Sequence, residues 1–526
     1  MFNLQNYSTQ NIKNDVLSGA LVAVALVPEA IAFSFIAGVS PVVGLYGAFI
    51  IGLITSILGG KPGMISGATG SVAVVFISLG LAVKEMYPGL DPEAFSFMIL
   101  NYILLTSIIA GLIQIAIGLL KMGKFIRLVP QPALFGFVNG LAIVIALAQL
   151  KFLEPENPEQ YHGFMELFTA SLSENYIMYF IIFITMATMH FLPKLTKAAP
   201  AGLIAIVVIT LVTYFFNIDT KTVGDLADLS NVSLPTFTPP LSELFSSESM
   251  MLILPVAIIV ALVGLIESLL TLSVLDEMGG ERGSGNKECV ALGVANTTSG
   301  LFGGMAGCAM IGQSVINFTS GGLGRLSSFT AALLLIILVV SFSSVIAAIP
   351  VAVLVGIMFM VSIGTFEFSS IKRIKYMPRS DAFVLVVVTI ITVFEDLAVA
   401  VIAGIIISAL VFAWKHAKIF ANNHEEDGKK IYELDGPLFF GSVTSFNEQF
   451  DIEGDPEEVI IDFKNARVMD SSGTEAIDAL TIKYKKAGKK LTIRHLSEDC
   501  KEVLKVAGPF CTYDEDDPTY KVAVNK

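Results

Sequence analysis

Long apolar runs recur along most of this chain, and they limit what it can fold into. Between Val16 and Trp414 the sequence repeatedly presents apolar stretches long enough to cross the roughly 30 Å hydrocarbon core of a bilayer. In that medium every backbone N–H and C=O must be bonded within the protein, so α-helices are the expected form. Since 54% of the residues are hydrophobic and only 15% are charged, the chain lies outside the range of soluble proteins. The sequence therefore predicts a polytopic α-helical membrane protein.

The charges of the predicted loops indicate the orientation of the chain. Basic and acidic loops alternate, the basic ones at 121–127, 193–197, 371–379 and 415–418 and the acidic ones at 87–93, 154–160 and 394–396. By the positive-inside rule the basic loops face the cytoplasm. We therefore expect fourteen crossings, with both termini inside, in the inner (plasma) membrane. The net charge of −13 argues against a nucleic-acid partner.

The composition divides the chain into four regions. We assign a cytoplasmic N-terminus to 1–14, a transmembrane domain to 15–417, a linker to 418–430 and a cytoplasmic domain to 431–526. The N-terminus lacks the pattern of a cleaved signal peptide, so the first apolar run is expected to be retained. In the last region apolar runs alternate with amphipathic helices, which predicts a small α/β domain with a largely buried sheet.

A single acidic residue, Glu267, lies inside the apolar run 250–274. An acidic side chain at the centre of a membrane helix costs roughly 2.5–3.5 kcal/mol, so such residues usually face a cavity and a partner. Thr271 follows one helical turn later on the same face. Glu267 is therefore the first candidate for a transport-site residue.

Small residues interrupt two apolar segments, 65–83 and 302–318, and each interruption predicts irregular backbone followed by a short helix. Paired breaks of this kind, here seven segments apart, are typical of a transporter site. The start of a helix favours an anion, and two such starts directed at each other would hold a small oxyanion. The residues with small side chains and accessible amides are Thr69, Gly70 and Ser71 in the first break, and Cys308, Ala309 and Met310 in the second. The alternative is that these small residues only allow close helix packing.

The sequence contains no pattern typical of an enzyme. The five histidines and four cysteines have no metal-like spacing, and neither a P-loop nor a nucleophile elbow is present. We expect no cofactor, no certain metal site and no ATP-driven step.

Residues 28–46, PEAIAFSFIAGVSPVVGLY, resemble the signature P-Q-x-x-A-[FY]-x-x-x-A-G-x-x-P-x-x-G-L-Y of the SulP (sulfate permease) anion transporters. The likeness continues through ISGATGSVAVV, GLIESLLT and GGMAGCAMIGQS, and so covers nearly the whole chain. It implies fourteen segments in two inverted repeats of seven, a core and a gate domain, and a homodimer. It also implies that the substrate lies between the amino ends of segments three and ten, at Thr69–Ser71 and Ala309–Ile311, with Phe33 beside it.

Three departures from the family pattern bear on ion coupling. Glu29 stands where many relatives have Gln, Gln313 where proton-coupled relatives often have Arg, and Ile311 where a sodium-coupled bicarbonate branch has Thr. Two carboxylates without the Arg would repel an anion unless protons or a cation neutralise them. We therefore expect coupling to H⁺ or Na⁺. Protons are favoured, because the loss of a hydroxyl at Ile311 weakens a sodium site built on Glu267 and Thr271.

Glu29 has a simpler alternative to a role in ion coupling. It could snorkel or pair locally at a helix turn near Pro28.

In the last region the motif D-S-S-G at 470–473 resembles the STAS domains of anti-sigma-factor antagonists. Ser471 or Ser472 could accept a phosphate there, or could simply cap the helix.

The leading hypothesis is a secondary active transporter of small inorganic anions, with bicarbonate or sulfate favoured, coupled to H⁺ or Na⁺ symport. The STAS domain would serve as a dimer or regulatory module, with a cytoplasmic partner. Three alternatives stay open: an anion exchanger, a transporter like the nucleobase-cation symporters, and a non-transporting sensor that signals through STAS.

Overall fold

The computed structural model divides the chain into two compact units, Met1–Ile405 and Ile406–Lys526. The residues that it describes are 8–123, 130–155, 164–195, 201–226, 232–394, 403–404, 406–407, 409–411, 413, 417–426, 428–497 and 500. Several sequence predictions fall outside these residues. They concern Trp414, His162, His416, the part of the predicted 431–526 domain that follows Cys500, and parts of five charged loops. The loops concerned are those at 121–127, 154–160, 193–197, 394–396 and 415–418.

The described part of the first unit is almost entirely helical. Its elements, in chain order, are α1 (Thr9–Ile36), α2 (Pro41–Leu58), β1 (Ser66–Gly67), α3 (Gly70–Met86), α4 (Pro92–Leu119), α5 (Gln131–Gln149), α6 (Phe164–Glu174), α7 (Tyr176–Leu195), α8 (Ala201–Phe215), α9 (Val223–Leu226), α10 (Ser247–Gly279), α11 (Gly285–Leu301), β2 (Cys308–Ala309), α12 (Ile311–Thr319), α13 (Arg325–Ser341), α14 (Ser343–Ala347), α15 (Val351–Thr365), α16 (Phe368–Ile374) and α17 (Arg379–Phe394).

Seven helices of the described residues are long and apolar enough to cross a membrane, and α8 and α13 are shorter apolar helices. This confirms the polytopic α-helical fold. The count of fourteen crossings stays a prediction, because the last of them falls largely outside the described residues.

Local sequence explains where several helices begin and end. Ser8 caps α1 by accepting from the amide of Asn11 at 3.2 Å, and Asp91 caps α4 by accepting from the amide of Ala94 at 2.8 Å. Gly280, at φ 71°, ends α10 in the left-handed conformation. Because α1 begins at Thr9, the first helix starts inside the segment 1–14 that the sequence analysis assigned to the N-terminus.

The helices pack in two groups. One group contains α1 to α4 and α10 to α13, and the other contains α5, α7, α8, α15 and α17. Glycine allows close approach within each group, since a Cβ on Gly293 would lie 2.5 Å from the carbonyl oxygen of Gly111, and one on Gly136 2.6 Å from that of Leu385. This division agrees with the core and gate domains that the family resemblance implies.

The second unit contains a four-stranded sheet in the order β3-β4-β5-β6. The β3–β4 pair is antiparallel, and β4–β5 and β5–β6 are parallel. The elements are β3 (Phe420–Glu426), β4 (Lys429–Leu438), α18 (Val443–Asn447), β5 (Glu458–Val468), α19 (Ser471–Lys486) and β6 (Lys490–Arg494). The α/β prediction is confirmed, but the linker boundary is wrong, because β3 lies inside 418–430 and pairs with β4.

A buried carboxylate links the sheet of this unit to its helix. Asp455 accepts hydrogen bonds from the hydroxyls of Tyr432, at 2.9 Å, and Tyr484, at 2.5 Å. Burial, together with the hydrogen bond to Asp455, raises the pKa of Tyr432 to about 12 and that of Tyr484 further still. Both hydroxyls therefore stay protonated, and Asp455 satisfies them in an apolar core.

Replacing Asp455 by Ala should destabilise the second unit by about 1–3 kcal/mol, because it leaves buried tyrosine hydroxyls without an acceptor. Hydrogen–deuterium exchange of the full-length protein should show faster exchange in β4 and α19. Glu475→Ala, at an exposed position of α19, is the matched control and should change neither. Equal protection of β4 and α19 in Asp455→Ala and the parent would contradict this role.

Candidate functional site

The two interrupted segments meet in a short antiparallel strand pair. Ser66 is opposite Ala309, and Gly67 is opposite Cys308. The backbones approach so closely that a Cβ on Gly307 would lie 1.9 Å from the carbonyl oxygen of Gly67. The predicted irregular backbone is thus an extended segment in both breaks. Of the two helices that follow, α12 is short, at 9 residues, whereas α3 has 17.

Helices α3 and α12 both begin directly after this strand pair, so their amino ends lie close together. Their N-cap residues, Thr69 and Met310, make no side-chain capping bond. The first amides of an α-helix have no intrahelical acceptor, and the helix dipole adds partial positive charge there. The arrangement therefore suits a small anion.

Glu267, on α10, reaches this strand pair. Its Oε2 atom accepts a hydrogen bond from the hydroxyl of Ser71 and another from the thiol of Cys308, the latter at 2.9 Å. The hydroxyl of Thr69 lies 3.2 Å from Ser71 Oγ and 3.1 Å from Cys308 Sγ. Thr69, Ser71 and Cys308 are buried, whereas Glu267 is partly exposed. Among the described residues Glu267 makes no ion pair.

Two residues of α10 that follow Glu267 contact β2 by hydrogen bonds. The amide of Ala309 donates to Ser268 Oγ at 3.0 Å. The hydroxyl of Thr271 donates to the carbonyl of Glu267 at 2.8 Å and lies 3.5 Å from that of Ala309. The predicted pair of Glu267 and Thr271 therefore shares one face of α10 and contacts the second break.

Phe33 packs against the start of α3. A Cβ on Gly70 would lie 2.8 Å from the Phe33 ring, so only glycine allows the ring to lie so close to this helix end. The structure thus places Phe33 beside the first break. Met310 is buried, and its amide donates to the carbonyl of Ile65 at 2.9 Å.

Glu29 bonds across the helices to Gln313. The amide of Gln313 donates to Glu29 Oε1 at 2.6 Å, joining α1 to α12. Pro28 lies inside α1, which continues through it to Ile36. The alternative of local pairing at a helix turn is therefore wrong. Ile311, in the first turn of α12, is 38% exposed and contributes no polar atom from its side chain.

Two amide side chains that the sequence patterns did not single out support the second break. Asn296, on α11, donates to the carbonyl of Gly307 at 3.1 Å and accepts from the amide of the same residue at 3.0 Å. It also donates to Gln114 Oε1, on α4, at 2.9 Å. Asn296 thus bonds to Gly307 as a neighbouring strand would. The available signal was an uncharged amide side chain in each of two predicted membrane segments, and the structure buries both completely.

Replacing Asn296 by Ala should therefore weaken the site. It leaves the buried N–H and C=O of Gly307 unpaired, at a cost of about 1–3 kcal/mol for each group. We expect a lower thermal unfolding temperature and slower anion uptake than in the parent. Thr298→Ala, on the same helix, is the control, since within the described part of the chain its hydroxyl bonds only the carbonyl of Val294. Equal uptake by Asn296→Ala and the control would exclude the supporting role.

In the second unit, Asp470 and not a serine caps α19. Its Oδ1 accepts from the amide of Gly473 at 2.9 Å, and its Oδ2 from that of Phe440 at 2.9 Å. The alternative of capping by Ser471 or Ser472 is therefore wrong. Ser471 is exposed in the first turn of α19, and Ser472 is partly exposed.

A helical membrane unit with two paired breaks, joined to an α/β domain, defines an integral membrane transporter with a STAS domain. The chain belongs to the Sulfate permease family, whose sequence profile matches residues 12–388. The STAS domain profile matches residues 421–518, in agreement with the position of β3. Since family members are transporters, the prediction that this protein is not an enzyme is confirmed.

Relatives and solved structures agree with this assignment. The chain is 41% identical over 506 residues to the putative sulfate transporter YbaR of Bacillus subtilis, covering 96% of this chain and 98% of that one. It is 27% identical over 485 residues to the bicarbonate transporter BicA of Synechocystis, covering 87% and 83%.

Two solved structures are similar to this one. The overall structure of SLC26A9 has a TM-score of 0.82 at 18% identity and covers 97% of this chain and 90% of that one, which shows the shared fold. The transmembrane domain of a cyanobacterial BicA has a TM-score of 0.64 at 28% identity and covers 75% and 98%.

Proposed function

We propose that this protein is a secondary active transporter of small inorganic anions, coupled to H⁺ or Na⁺ symport. The observation that carries the proposal is the strand pair β1–β2, which brings the amino ends of α3 and α12 together beside Glu267. The anion would bind at Thr69–Ser71 and Cys308–Ile311, with Phe33 beside it and Gln313 nearby.

The charges at the site support symport. Glu267 and Glu29 are held only by neutral donors among the described residues, namely Ser71, Cys308 and Gln313. A bare anion would meet two carboxylates without a basic partner. A proton or sodium ion removes this repulsion, so anion and cation strengthen each other's binding reciprocally.

Bicarbonate is the first candidate substrate and sulfate the second. The relatives include putative sulfate transporters and the bicarbonate transporter BicA. The neutral side chain of Gln313 favours a monovalent or proton-accompanied anion over an uncompensated divalent one.

We propose protons as the coupling ion. Glu267, the hydroxyl of Thr271 and the carbonyl of Ala309 are close enough to form part of a sodium site. However, Ile311 adds no oxygen to this set, and sodium prefers several oxygen ligands. Sodium is therefore the second candidate.

The second unit supports a regulatory proposal. We place the protein in the plasma membrane with both termini and the STAS domain cytoplasmic, as a homodimer. The exposed hydroxyl of Ser471 at the start of α19 is where a kinase or another cytoplasmic regulatory partner would act.

Uptake of labelled bicarbonate and sulfate into proteoliposomes tests the function. We expect accumulation of the anion when a proton gradient is directed inward, and a smaller or absent response to a sodium gradient. Accumulation under sodium alone would reverse the choice of ion, and exchange without accumulation would favour an exchanger. If no anion moves under any gradient, the sensor alternative gains. Uptake of a labelled nucleobase instead would favour the nucleobase-cation alternative.

A further inference from the structure

The hydrogen bonds around Glu267 engage two of the three hydroxyl and thiol donors of the proposed anion site, the third being the hydroxyl of Thr69. A serine hydroxyl and a cysteine thiol each have a single hydrogen to donate. In this structure Ser71 and Cys308 both donate that hydrogen to Glu267 Oε2. A substrate anion at the same place would therefore receive no hydrogen bond from either side chain.

We propose that the Glu267 carboxylate is a tethered anion that occupies the substrate site and must release Ser71 and Cys308 before a substrate binds. This inference rests on the proposed function, and it explains how one residue links the cation to the anion. It assigns to Glu267 a position inside the anion site, in addition to the ion-coupling role that the sequence indicates.

Protonation provides the release. A neutral carboxyl group has its own O–H and becomes a donor. It can then donate to Ser71 Oγ, and the hydroxyl hydrogen of Ser71 is free to turn toward the substrate. Loss of the charge also weakens the bond from the thiol of Cys308, so that this hydrogen can turn in the same way. The proton comes from solvent and stays on Glu267, so no bond other than this O–H is made or broken. One proton thereby removes the competing charge and reverses one hydrogen bond.

The competing group also points to a substrate class. The site already accepts a carboxylate, held through one oxygen by a hydroxyl and a thiol. A small monovalent anion with a planar carboxylate edge, such as bicarbonate or formate, presents the same oxygen to these donors. We therefore expect such anions to bind more tightly than tetrahedral sulfate.

A tethered carboxylate that competes for the same donors lowers the apparent affinity of the site for a free substrate anion. If the carboxylate occupies the donors for about nine-tenths of the time, the apparent Kd of the free anion is raised about tenfold. Removing the carboxylate should lower the Kd by the same factor, which is equivalent to ~1.4 kcal/mol.

Formate binding to the full-length protein in nanodiscs is the test, because formate stays ionised from weakly acidic to alkaline pH. We expect parent binding to weaken as pH rises. Glu267→Gln and Glu267→Ala should both bind about tenfold more tightly at alkaline pH and lose the part of this pH dependence that Glu267 causes, while Glu29 on Gln313 remains in both variants. Glu277→Gln, at an exposed position on the same helix, is the control and should match the parent.

A double variant identifies the donors. If the gain comes from freeing Ser71, then Glu267→Ala combined with Ser71→Ala should lose most of it. An unchanged Kd in both Glu267 variants, or a gain that persists fully in the double variant, would overturn the inference while leaving anion transport by the parent untouched. Absence of bicarbonate and sulfate uptake by the parent under any gradient would instead remove the proposed function, and this inference with it.

Discussion

Replacing Glu267 by Gln is expected to abolish concentrative anion uptake. The amide keeps the size of the side chain but can neither take up a proton at neutral pH nor carry a charge for sodium. A pH gradient then has no site on which to act. Because the donors Ser71 and Cys308 remain, anion binding and exchange should persist. The measurement is accumulation of labelled bicarbonate in proteoliposomes under a pH gradient, compared with exchange at equal pH on both sides.

Glu277→Gln is the control for Glu267→Gln. Glu277→Gln removes an exposed carboxylate from the same helix and should accumulate anion as the parent does. Concentrative uptake by Glu267→Gln at the parent's level would remove Glu267 from the coupling role. Loss of both accumulation and exchange would indicate a structural role instead.

Replacing Gly307 by Ala is expected to have the largest effect on the structure. The added methyl group would lie 1.9 Å from the carbonyl oxygen of Gly67, and the backbones of both residues are held by hydrogen bonds. The strand pair must therefore separate, which costs about 1–3 kcal/mol or more. Separation of the strands also removes the alignment of the amino ends of α3 and α12. Anion uptake should therefore fall to background.

Gly364→Ala is the matched control for Gly307→Ala. A Cβ on Gly364, in α15, meets no atom within 4 Å, and alanine is the better helix former. Uptake and thermal unfolding should be unchanged or slightly improved in this control. Normal uptake by Gly307→Ala would show that the close approach of the two breaks is not needed for transport.

Local patterns in the sequence predicted much of the candidate site. The high free-energy cost of an acidic side chain in an apolar membrane helix indicated Glu267. Runs of small residues indicated both breaks. Each of these signals lies within one segment. The spacing of seven segments relates the two breaks to each other, as does the family resemblance, and the structure pairs them directly through Ser66 and Ala309.

Boundaries and partners were predicted less well. The sequence predicts a linker where the strand Phe420–Glu426 lies, since the mostly polar, exposed residues of this strand lack the apolar alternation of a buried strand. For α19 the sequence leaves a serine cap as an open alternative, whereas Asp470 satisfies the amides. Both choices depend on what the residue contacts, and composition does not report contacts.

The sequence by itself determined that this chain forms membrane helices, that two of its segments are broken and that a separate α/β domain follows, because hydrophobic length and period act locally along the chain. Only the tertiary structure decided which groups meet. Ser71 and Glu267 are 196 residues apart, and Glu29 and Gln313 are 284 apart. Asn296 supports Gly307 from another helix. Hydrogen bonds between distant residues leave no period or motif in the sequence, since they form only when packing brings the helices together.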